Sequence, residues 1–478
     1  MSVLVDISKL PPTTADFLTK ELTVRSTPPT QPPGPPQRRR PAMFTPQTVI
    51  ESFHVTDFRS KDGAKRVAAV PFSFFYHYSE DKSLKRVPLP IHAQKKIPFK
   101  GELLPRQQAI RKQSLEILQR TGSILLCLHT GFGKTIFTLF LLSKIGLRAL
   151  VLCHRSVIIQ QWIESVQRYL PELTVAVLEP SALDKSVNAD IVIANPINVP
   201  KVDAVWFEPF GLVVIDEVHT ICTSQFSKAL FQFTPSYLIG LSATPYREDG
   251  MDRLLELYLG PEMIYRGMKR FFNAYRLPTN VVLRVEKTAD DRVNWNALLS
   301  QQSVSDERNR LICKLSWYFG QRNILILVKL KEHALKLQHL LQQLGEDVDC
   351  FIDTDKHCNY SCRVLIATYS KGGVGFDHPK LDMLIAGADV EANFMQYLGR
   401  VFRRDDVTPI YVDLRDELQM MVKHSQSRLA IVKDVGGSVK DFYHTFKGFE
   451  EITGWLDTHP FATEAPPKRK RVKKTTKD

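Results

Sequence analysis

Leu128 to Thr135, reading LHTGFGKT, is the stretch of this 478-residue chain whose residue types and spacing point most directly to chemistry. An apolar run, Ile124 to Leu128, leads into it, and an apolar helical pattern, Ile136 to Leu142, leads out. Strand, glycine-containing loop, Gly-Lys-Thr, helix is the context in which such an octet cradles phosphate. Gly131 and Gly133 let the backbone approach a phosphate and turn its N–H groups inward. The expected nucleotide-contacting set is His129, Thr130, Gly131, Phe132, Gly133, Lys134 and Thr135. Lys134 would supply a point charge to the β- and γ-phosphates, and Thr135 a hydroxyl to Mg2+. The general pattern begins with Gly where this chain has Leu128, so a turn that binds nothing is the alternative for the octet taken alone.

A second constellation follows. Leu212 to Ile215 is a short apolar strand that runs into Asp216, Glu217, Val218 and His219. In an open α/β sheet, ligands bind beyond the carboxyl ends of the strands, where a phosphate loop also sits. Asp216 is therefore positioned to hold Mg2+, and Glu217 to take a proton from an attacking water. His219 is a candidate relay. A strand end with two solvated acids is the bland alternative, and the Gly-Lys-Thr loop argues against it.

These groups need a scaffold, and the chain supplies an alternating one. Apolar strands are expected near 149–153, 174–178, 191–194 and 212–215, with a helix over 157–169. A second set runs through 323–328, a helix at 331–344, then 364–367, 383–385 and 410–413. Short apolar strands separated by helices indicate parallel sheets covered on both faces. The fold class expected is α/β, with two tandem lobes of which only the first carries a phosphate loop. The lobes are expected at 97–265 and 321–435, joined by a connector at 266–320 and followed by a C-terminal extension at 436–465.

Ahead of the lobes, residues 1–43 read as a Pro-rich, disordered segment, with seven prolines between Pro28 and Pro41. Residues 44–96 read as a small β-containing accessory domain, with a hairpin turning near Lys61-Asp62-Gly63. Its aromatics Phe72, Phe74, Phe75, Tyr76 and Tyr78, taken as one strand, would face both sides, so at least half belong to a core. Hydrophobic residues at 44% and charged residues at 24% fit a globular chain. No apolar run reaches the ~18 residues of a membrane helix, and no secretory signal is expected from MSVLVDISKLPP. The net charge of +13 is concentrated in tails. Residues 468–478 carry seven Lys/Arg against one Asp, and Arg38, Arg39 and Arg40 carry three more positive charges. Basic tails favour nucleic acid through counterion release. The seven cysteines suggest buried thiols in a reducing compartment. Cys350, His357, Cys358 and Cys362 cluster without matching a common zinc spacing.

HTGFGKT, then Asp216-Glu-Val-His219, then Gly240-Leu-Ser242-Ala243-Thr244-Pro-Tyr-Arg-Glu-Asp-Gly250, in that order, resemble a superfamily 2 helicase of the DExH type. The last form resembles the xeroderma-pigmentosum-B-type repair and transcription translocases and the transcript-release helicases of poxviruses and other large DNA viruses. Ala367-Thr368 with Gly372 to Asp377 is similar to motif V, and Gln396 to Arg403 to motif VI. The resemblance covers about residues 100–415. It implies two RecA-like lobes, ATP with Mg2+ as nucleotide and metal, and Arg400 and Arg403 reaching the γ-phosphate from the second lobe. It implies that Ser242, Ala243, Thr244, Gly375, Asp377 and Gln396 couple hydrolysis to movement. It also implies that Gln107 reads adenine, and that His154, Arg155, Asn195 and Thr368 touch nucleic acid. Arg403, three positions after Arg400, is expected on the same helix face. The run Lys269 to Arg276 could add base stacking, against the plainer reading of a partly buried strand. Two departures stand out: His129 where Pro is usual, and too few residues between Ile352 and Arg363 for the helix expected there.

The expected function is an ATP-driven DNA helicase or double-strand translocase in transcription or repair. The rival is an ATP-switched transcription release or assembly factor that separates no strands. DNA is expected ahead of RNA, transcription machinery is an expected partner, and no membrane is. An intracellular setting is expected, the nucleus or a cytoplasmic viral DNA compartment.

Overall fold

Two wholly parallel sheets organise the computed structural model, which describes residues 2–7, 12–25, 49–60, 63–78, 85–87, 92–221, 227–243, 251–352, 359–372, 378–390, 394–404 and 406–459. The chain divides into two units, Met1–Gly267 and Met268–Asp478.

In the first unit, seven strands among the described residues lie in the order Met263–Arg266, Ser123–Leu128, Tyr237–Ser242, Leu212–Ile215, Ala149–Leu152, Ile191–Ala194 and Val175–Val177. All neighbours are parallel. The central strands are buried along their whole length, which is why they read as continuous apolar runs without alternation. The helix Pro105–Thr121 begins with Pro at its first position and ends at Gly122 in the left-handed conformation. Helices Lys134–Ile145 and Ser156–Tyr169 cover the sheet, and most of the first is buried from Phe137 onward.

The N-terminal region corrects the expectation for residues 1–43. Ser2–Asp6 is a strand inside a four-stranded antiparallel sheet of order His54–Ser60, Gly63–Pro71, Ser2–Asp6, Lys85–Arg86. Pro12–Leu22 is helical, and Thr23–Arg25 pairs with Val49–Glu51. Residues 26–48, with the prolines, lie outside the described residues. The hairpin is present, pairing Ser60 with Gly63. The aromatic run is not strand, however: the ladder stops at Pro71 and Phe74–Tyr78 is helical. Phe72 and Phe74 are buried, Phe75 is half-buried and Tyr76 is exposed. Val3, Val5, Phe72 and Phe74 share one apolar core with Phe233, Leu254 and Tyr258, so this sheet is continuous with the first lobe. Ser2 N also donates to Phe233 O at 2.8 Å.

In the second unit, seven strands among the described residues run Val348–Phe351, Val364–Thr368, Ile324–Val328, Met383–Ala386, Ile410–Arg415, Phe272–Pro278 and Gly437–Asp441, again all parallel. The connector and the extension expected from the sequence are therefore parts of this lobe. Phe272–Pro278 lies between Ile410–Arg415 and the edge strand Gly437–Asp441. Leu311, Ile312 and Leu315, with Phe442, Phe449 and Leu456, fill its core. Phe272 and Tyr275 are buried, so the run at 269–276 is the plainer strand, with Phe271 left exposed. Residues 359–363 are not helical, as the short spacing after Ile352 suggested. Tail residues 460–478 lie outside the described residues. No helix among the described residues is long and apolar enough to cross a membrane.

Candidate active site

The phosphate loop hangs between the buried end of Ser123–Leu128 and the start of the helix at Lys134. Gly131 and Gly133 both have left-handed backbones, with φ of +87° and +88°, a conformation in which glycine has no Cβ to clash. The loop is braced from outside by the helix Pro105–Thr121. Gln107 Nε2 donates to Phe132 O at 3.2 Å and to Gly133 O at 3.1 Å. Its Oε1 accepts from Leu104 N at 2.8 Å, closing the helix start as a capping residue does. Arg106 adds a bond to Gly131 O at 3.0 Å and one to Phe132 O at 3.3 Å. Gln107 is thus engaged with the loop itself, and Arg106 joins it, which sequence reasoning missed although the two residues are adjacent. His129 gains a physical account. Its ring meets Phe132 edge-on at 5.5 Å and its Nδ1 lies 2.8 Å from Thr130 O, so it stiffens the loop's entry. Thr130 and Thr135 are half-buried on the same loop and helix start.

Lys134 Nζ lies 3.3 Å from Leu128 O and 3.9 Å from Glu217 Oε1. The loop cation and the acidic strand end therefore converge. Asp216 is held by Trp162, whose fully buried indole N–H donates to its Oδ2 at 2.9 Å, and by Glu217 N at 3.0 Å to Oδ1. Burial first, then the Glu217 charge, raises the Asp216 carboxyl above its ordinary range, against the pull of Trp162 and Lys134. A buried acid beside a second acid is poised to gain from a bound cation, which relieves both causes. Trp162 carried no sequence signal, because a tryptophan in an amphipathic helix reads as core. Burial, with both carboxylates, pushes the neighbouring Cys153 thiol well up, leaving it a neutral wall. Glu217 itself has φ of +49°, and the chain then turns into the short helix Val218–Ile221. His219 lies in that turn, and its side chain is outside the described residues.

Residues 100–247 match the family model described as "Type III restriction enzyme, res subunit". The chain is 34% identical to a protein named as helicase 161L of Invertebrate iridescent virus 6 over 405 residues, which is 78% of this chain and 90% of that one. It is 25% identical to a protein named as ATP-dependent RNA helicase QP509L of African swine fever virus, over 69% of this chain and 72% of that one. The chain belongs to the superfamily 2 helicases. It is a nucleic-acid-dependent ATPase of that class. Among solved structures it is similar to S. cerevisiae Dbp5 bound to RNA and ADP BeF3, with a TM-score of 0.50 and 15% identity over 74% of this chain and 97% of that one. That likeness concerns the fold of tandem RecA-like lobes.

On the strand beside the Gly-Lys-Thr loop of this helicase, Ser242 ends its strand fully buried and Ala243 is half-buried. Thr244 lies outside the described residues. At the neighbouring strand ends, Asn195 Nδ2 donates to His154 O at 3.2 Å, and Arg155 Nε donates to His154 Nε2 at 3.0 Å. These three residues, drawn from the ends of two neighbouring strands, form one cluster.

In the second unit Thr368 is buried, with its hydroxyl 3.1 Å from Ser370 Oγ. Gly375 and Asp377 lie outside the described residues. Gln396 is half-buried on the helix Phe394–Leu398. The helix does not extend to Arg403: it tightens into a single 3-10 turn, Gly399–Val401, and the chain leaves it by Phe402. Arg400 is buried, and its Nε donates to Gly372 O at 3.2 Å, tying motif VI to motif V. Arg403 sits beyond the turn, so the two arginines do not share a helix face. The segment beyond the turn is held by Arg270, whose guanidinium binds Phe402 O at 3.0 Å and Val407 O at 3.4 Å, and also Arg404 O. Arg404 pairs with Asp406 at 2.6 Å and Asp382 at 3.2 Å. Cys350 and Cys362 are buried thiols, while His357 and Cys358 lie outside the described residues. No cluster of three metal-ligating side chains occurs among the described residues.

Proposed function

We propose that this helicase is a DNA-directed motor of the DExH, xeroderma-pigmentosum-B-like type, acting in transcription or repair of a large DNA virus. The observation that carries the hydrolytic part is the convergence of Lys134, Asp216 and Glu217 on one end of one sheet. Lys134 binds the β- and γ-phosphate oxygens, and the loop N–H groups orient them. Thr135 and Asp216 would hold Mg2+, a hard cation that takes hydroxyl and carboxylate oxygen and would neutralise phosphate charge there. Glu217 accepts the proton of the water that attacks the γ-phosphate, with His219, two residues on in sequence, as relay. Arg400 and Arg403 supply guanidinium groups to the transferring phosphoryl, and Ser242, Thr244, Gly375, Asp377 and Gln396 link that step to motion. His154, Arg155, Asn195 and Thr368 contact the phosphate backbone, while Gln107 serves the adenine side of the site as well as bracing the loop.

DNA as track is supported by the form of the Gly240 to Gly250 motif and by relatives in viruses with DNA genomes. Transcription machinery is the proposed partner, and a nucleus or cytoplasmic viral DNA compartment the proposed setting. The test uses one preparation and three assays: duplex unwinding, triplex displacement, and the same unwinding on an RNA duplex. Third-strand or duplex displacement on DNA, driven by ATP, is expected. Activity on RNA alone would overturn the DNA assignment. ATP hydrolysis with no displacement of any strand would replace the motor by an ATP-switched release factor.

A further inference from the structure

Thr220 stands between two groups of residues with separate roles. Its Oγ1 donates to Glu217 O at 2.8 Å and lies 3.3 Å from His154 Nδ1. On the far side of the same imidazole, Arg155 Nε donates to His154 Nε2 at 3.0 Å. The directions of these bonds are not independent. A threonine hydroxyl has one proton, and giving it to the Glu217 carbonyl leaves Oγ1 an acceptor toward His154. A ring nitrogen that accepts from Arg155 carries no proton, so His154 must hold its hydrogen on Nδ1, the nitrogen that faces Thr220. One tautomer satisfies all three of these bonds. The chain therefore has a single sense, from Arg155 through His154 and Thr220 to the backbone of Glu217.

Both ends of that chain are sensitive points. Arg155 is exposed, at the position proposed to meet a phosphate backbone. Glu217 has a left-handed backbone, which a residue with a Cβ keeps only when its surroundings hold it there. Its carbonyl receives both Thr220 Oγ1 and Thr220 N, the latter also at 2.8 Å. Asn195 Nδ2, donating to His154 O at 3.2 Å, fixes the imidazole's own backbone and brings the third proposed phosphate-contacting residue into the same network.

We propose that Thr220 is a positioning residue that reports occupancy of the His154, Arg155 and Asn195 cluster by a nucleic-acid phosphate to the general base Glu217. A phosphate that draws Arg155 Nε to itself removes the donor to His154 Nε2. The imidazole is then released to turn or to move its hydrogen, and the Thr220 hydroxyl and Glu217 carbonyl follow. This rests on the reading of Glu217 as base and of that cluster as a nucleic-acid contact.

The test is Thr220→Val, which replaces the hydroxyl by a methyl of similar size, beside Thr220→Ala, which removes it without adding bulk, and Thr220→Ser, which restores it. ATPase kcat and KM are measured with and without single-stranded DNA, duplex DNA and RNA oligonucleotides, and oligonucleotide binding by fluorescence anisotropy. Stimulation of kcat by nucleic acid should fall about 2- to 10-fold in Thr220→Val and Thr220→Ala, the kinetic value of one hydrogen bond. KM for ATP and oligonucleotide affinity should stay within about twofold, and Thr220→Ser should recover the wild-type stimulation. Wild-type stimulation in Thr220→Val and Thr220→Ala would overturn the relay while leaving the nucleic-acid ATPase intact. Failure of Thr220→Ser to recover would assign the residue to packing and overturn it too. Absence of stimulation in the wild-type protein by all three oligonucleotides would overturn the underlying reading together with the relay.

Discussion

Replacing Gly133 with Ala adds one methyl group where the phosphate loop enters its helix, and the surroundings set its cost. An ideal Cβ there meets Gln107 Nε2 at 2.5 Å and the amide carbon of the same residue at 3.7 Å. Gln107 must therefore move, giving up its bonds to Phe132 O and Gly133 O, each worth ~0.5–1.5 kcal/mol. The left-handed backbone, φ +88° at Gly133, adds about 1–2 kcal/mol for any L side chain. Together these oppose the cradle conformation by about 2–5 kcal/mol, or roughly 30- to 5,000-fold in ATP affinity. The fold should survive, because the buried face of the helix Lys134–Ile145 is untouched. Gln107→Ala alone forfeits those two bonds, the one its Oε1 accepts from Leu104 N and its proposed adenine contact, without the backbone strain. The double variant should lose less ATP affinity than the two single losses added, since the methyl already displaces the amide from Phe132 O and Gly133 O, so the two changes combine sub-additively. Titrating a fluorescent ATP analogue into all four proteins measures this. Strictly additive losses, or Gly133→Ala within about threefold of wild type, would refute the reasoning.

Three further outcomes are expected. Glu217→Gln should bind nucleotide but hydrolyse it ~10²–10⁴-fold more slowly in single-turnover assays, and a loss below about threefold would show that another group activates the water. Arg403→Ala should leave nucleotide binding near normal and lower the stimulated rate by ~10³–10⁵, whereas a change within about twofold would mark it as a surface residue of the kind exposed ion pairs use. His333 concerns stability and pH. It is buried, with Nε2 2.8 Å from Asn309 Oδ1, and burial, helped by the Arg308 and Lys336 charges, pulls its imidazole down to about 3. Above its ordinary value near 6.5 both folded and unfolded chains carry it neutral, and its contribution is fully present. As pH falls below that value the unfolded chain takes up a proton that the folded one refuses, so stability drops by about 1.4 kcal/mol per pH unit until the folded value is reached. His333→Gln keeps a donor for Asn309 and removes the titration. Chemical denaturation at pH 7, 6, 5 and 4 should give wild type the steeper decline, and parallel curves would refute the assignment.

The elements that carry the candidate nucleotide site were legible because they are local in sequence. A strand, two glycines, Lys134 and a helix are contiguous, and Asp216 and Glu217 follow their strand directly, so reading the strand ends was enough. Trp162 and Arg106 were not legible, since the partner of each lies many residues away and neither type is diagnostic. The lobe boundaries were misread for a related reason. Phe272–Pro278 was readable as a strand, but its neighbours Ile410–Arg415 and Gly437–Asp441 lie over a hundred residues on, and Gly437–Asp441, reading GSVKD, is too polar to look like a parallel strand. Gly437–Asp441 is an edge strand, half-exposed, and it needs no apolar run. Ser2–Asp6 was overlooked because its partners lie more than sixty residues on, at Val67–Pro71. Arg403 was assigned to a helix from its spacing alone. The helix instead ends in the turn Gly399–Val401, and the carbonyls beyond it are bound by Arg270, over a hundred residues earlier, a partner that spacing does not reveal.

Steady-state ATP hydrolysis by the full chain and by Lys134→Ala, each with and without single-stranded DNA, duplex DNA and RNA, tests most directly whether this helicase is a nucleic-acid-driven motor powered from the phosphate loop. Wild type should hydrolyse ATP and accelerate several-fold with nucleic acid, DNA above RNA. Lys134→Ala should fall to background under every condition while still binding oligonucleotide. Hydrolysis by Lys134→Ala at the wild-type rate, or a wild-type rate indifferent to all three nucleic acids, would contradict it.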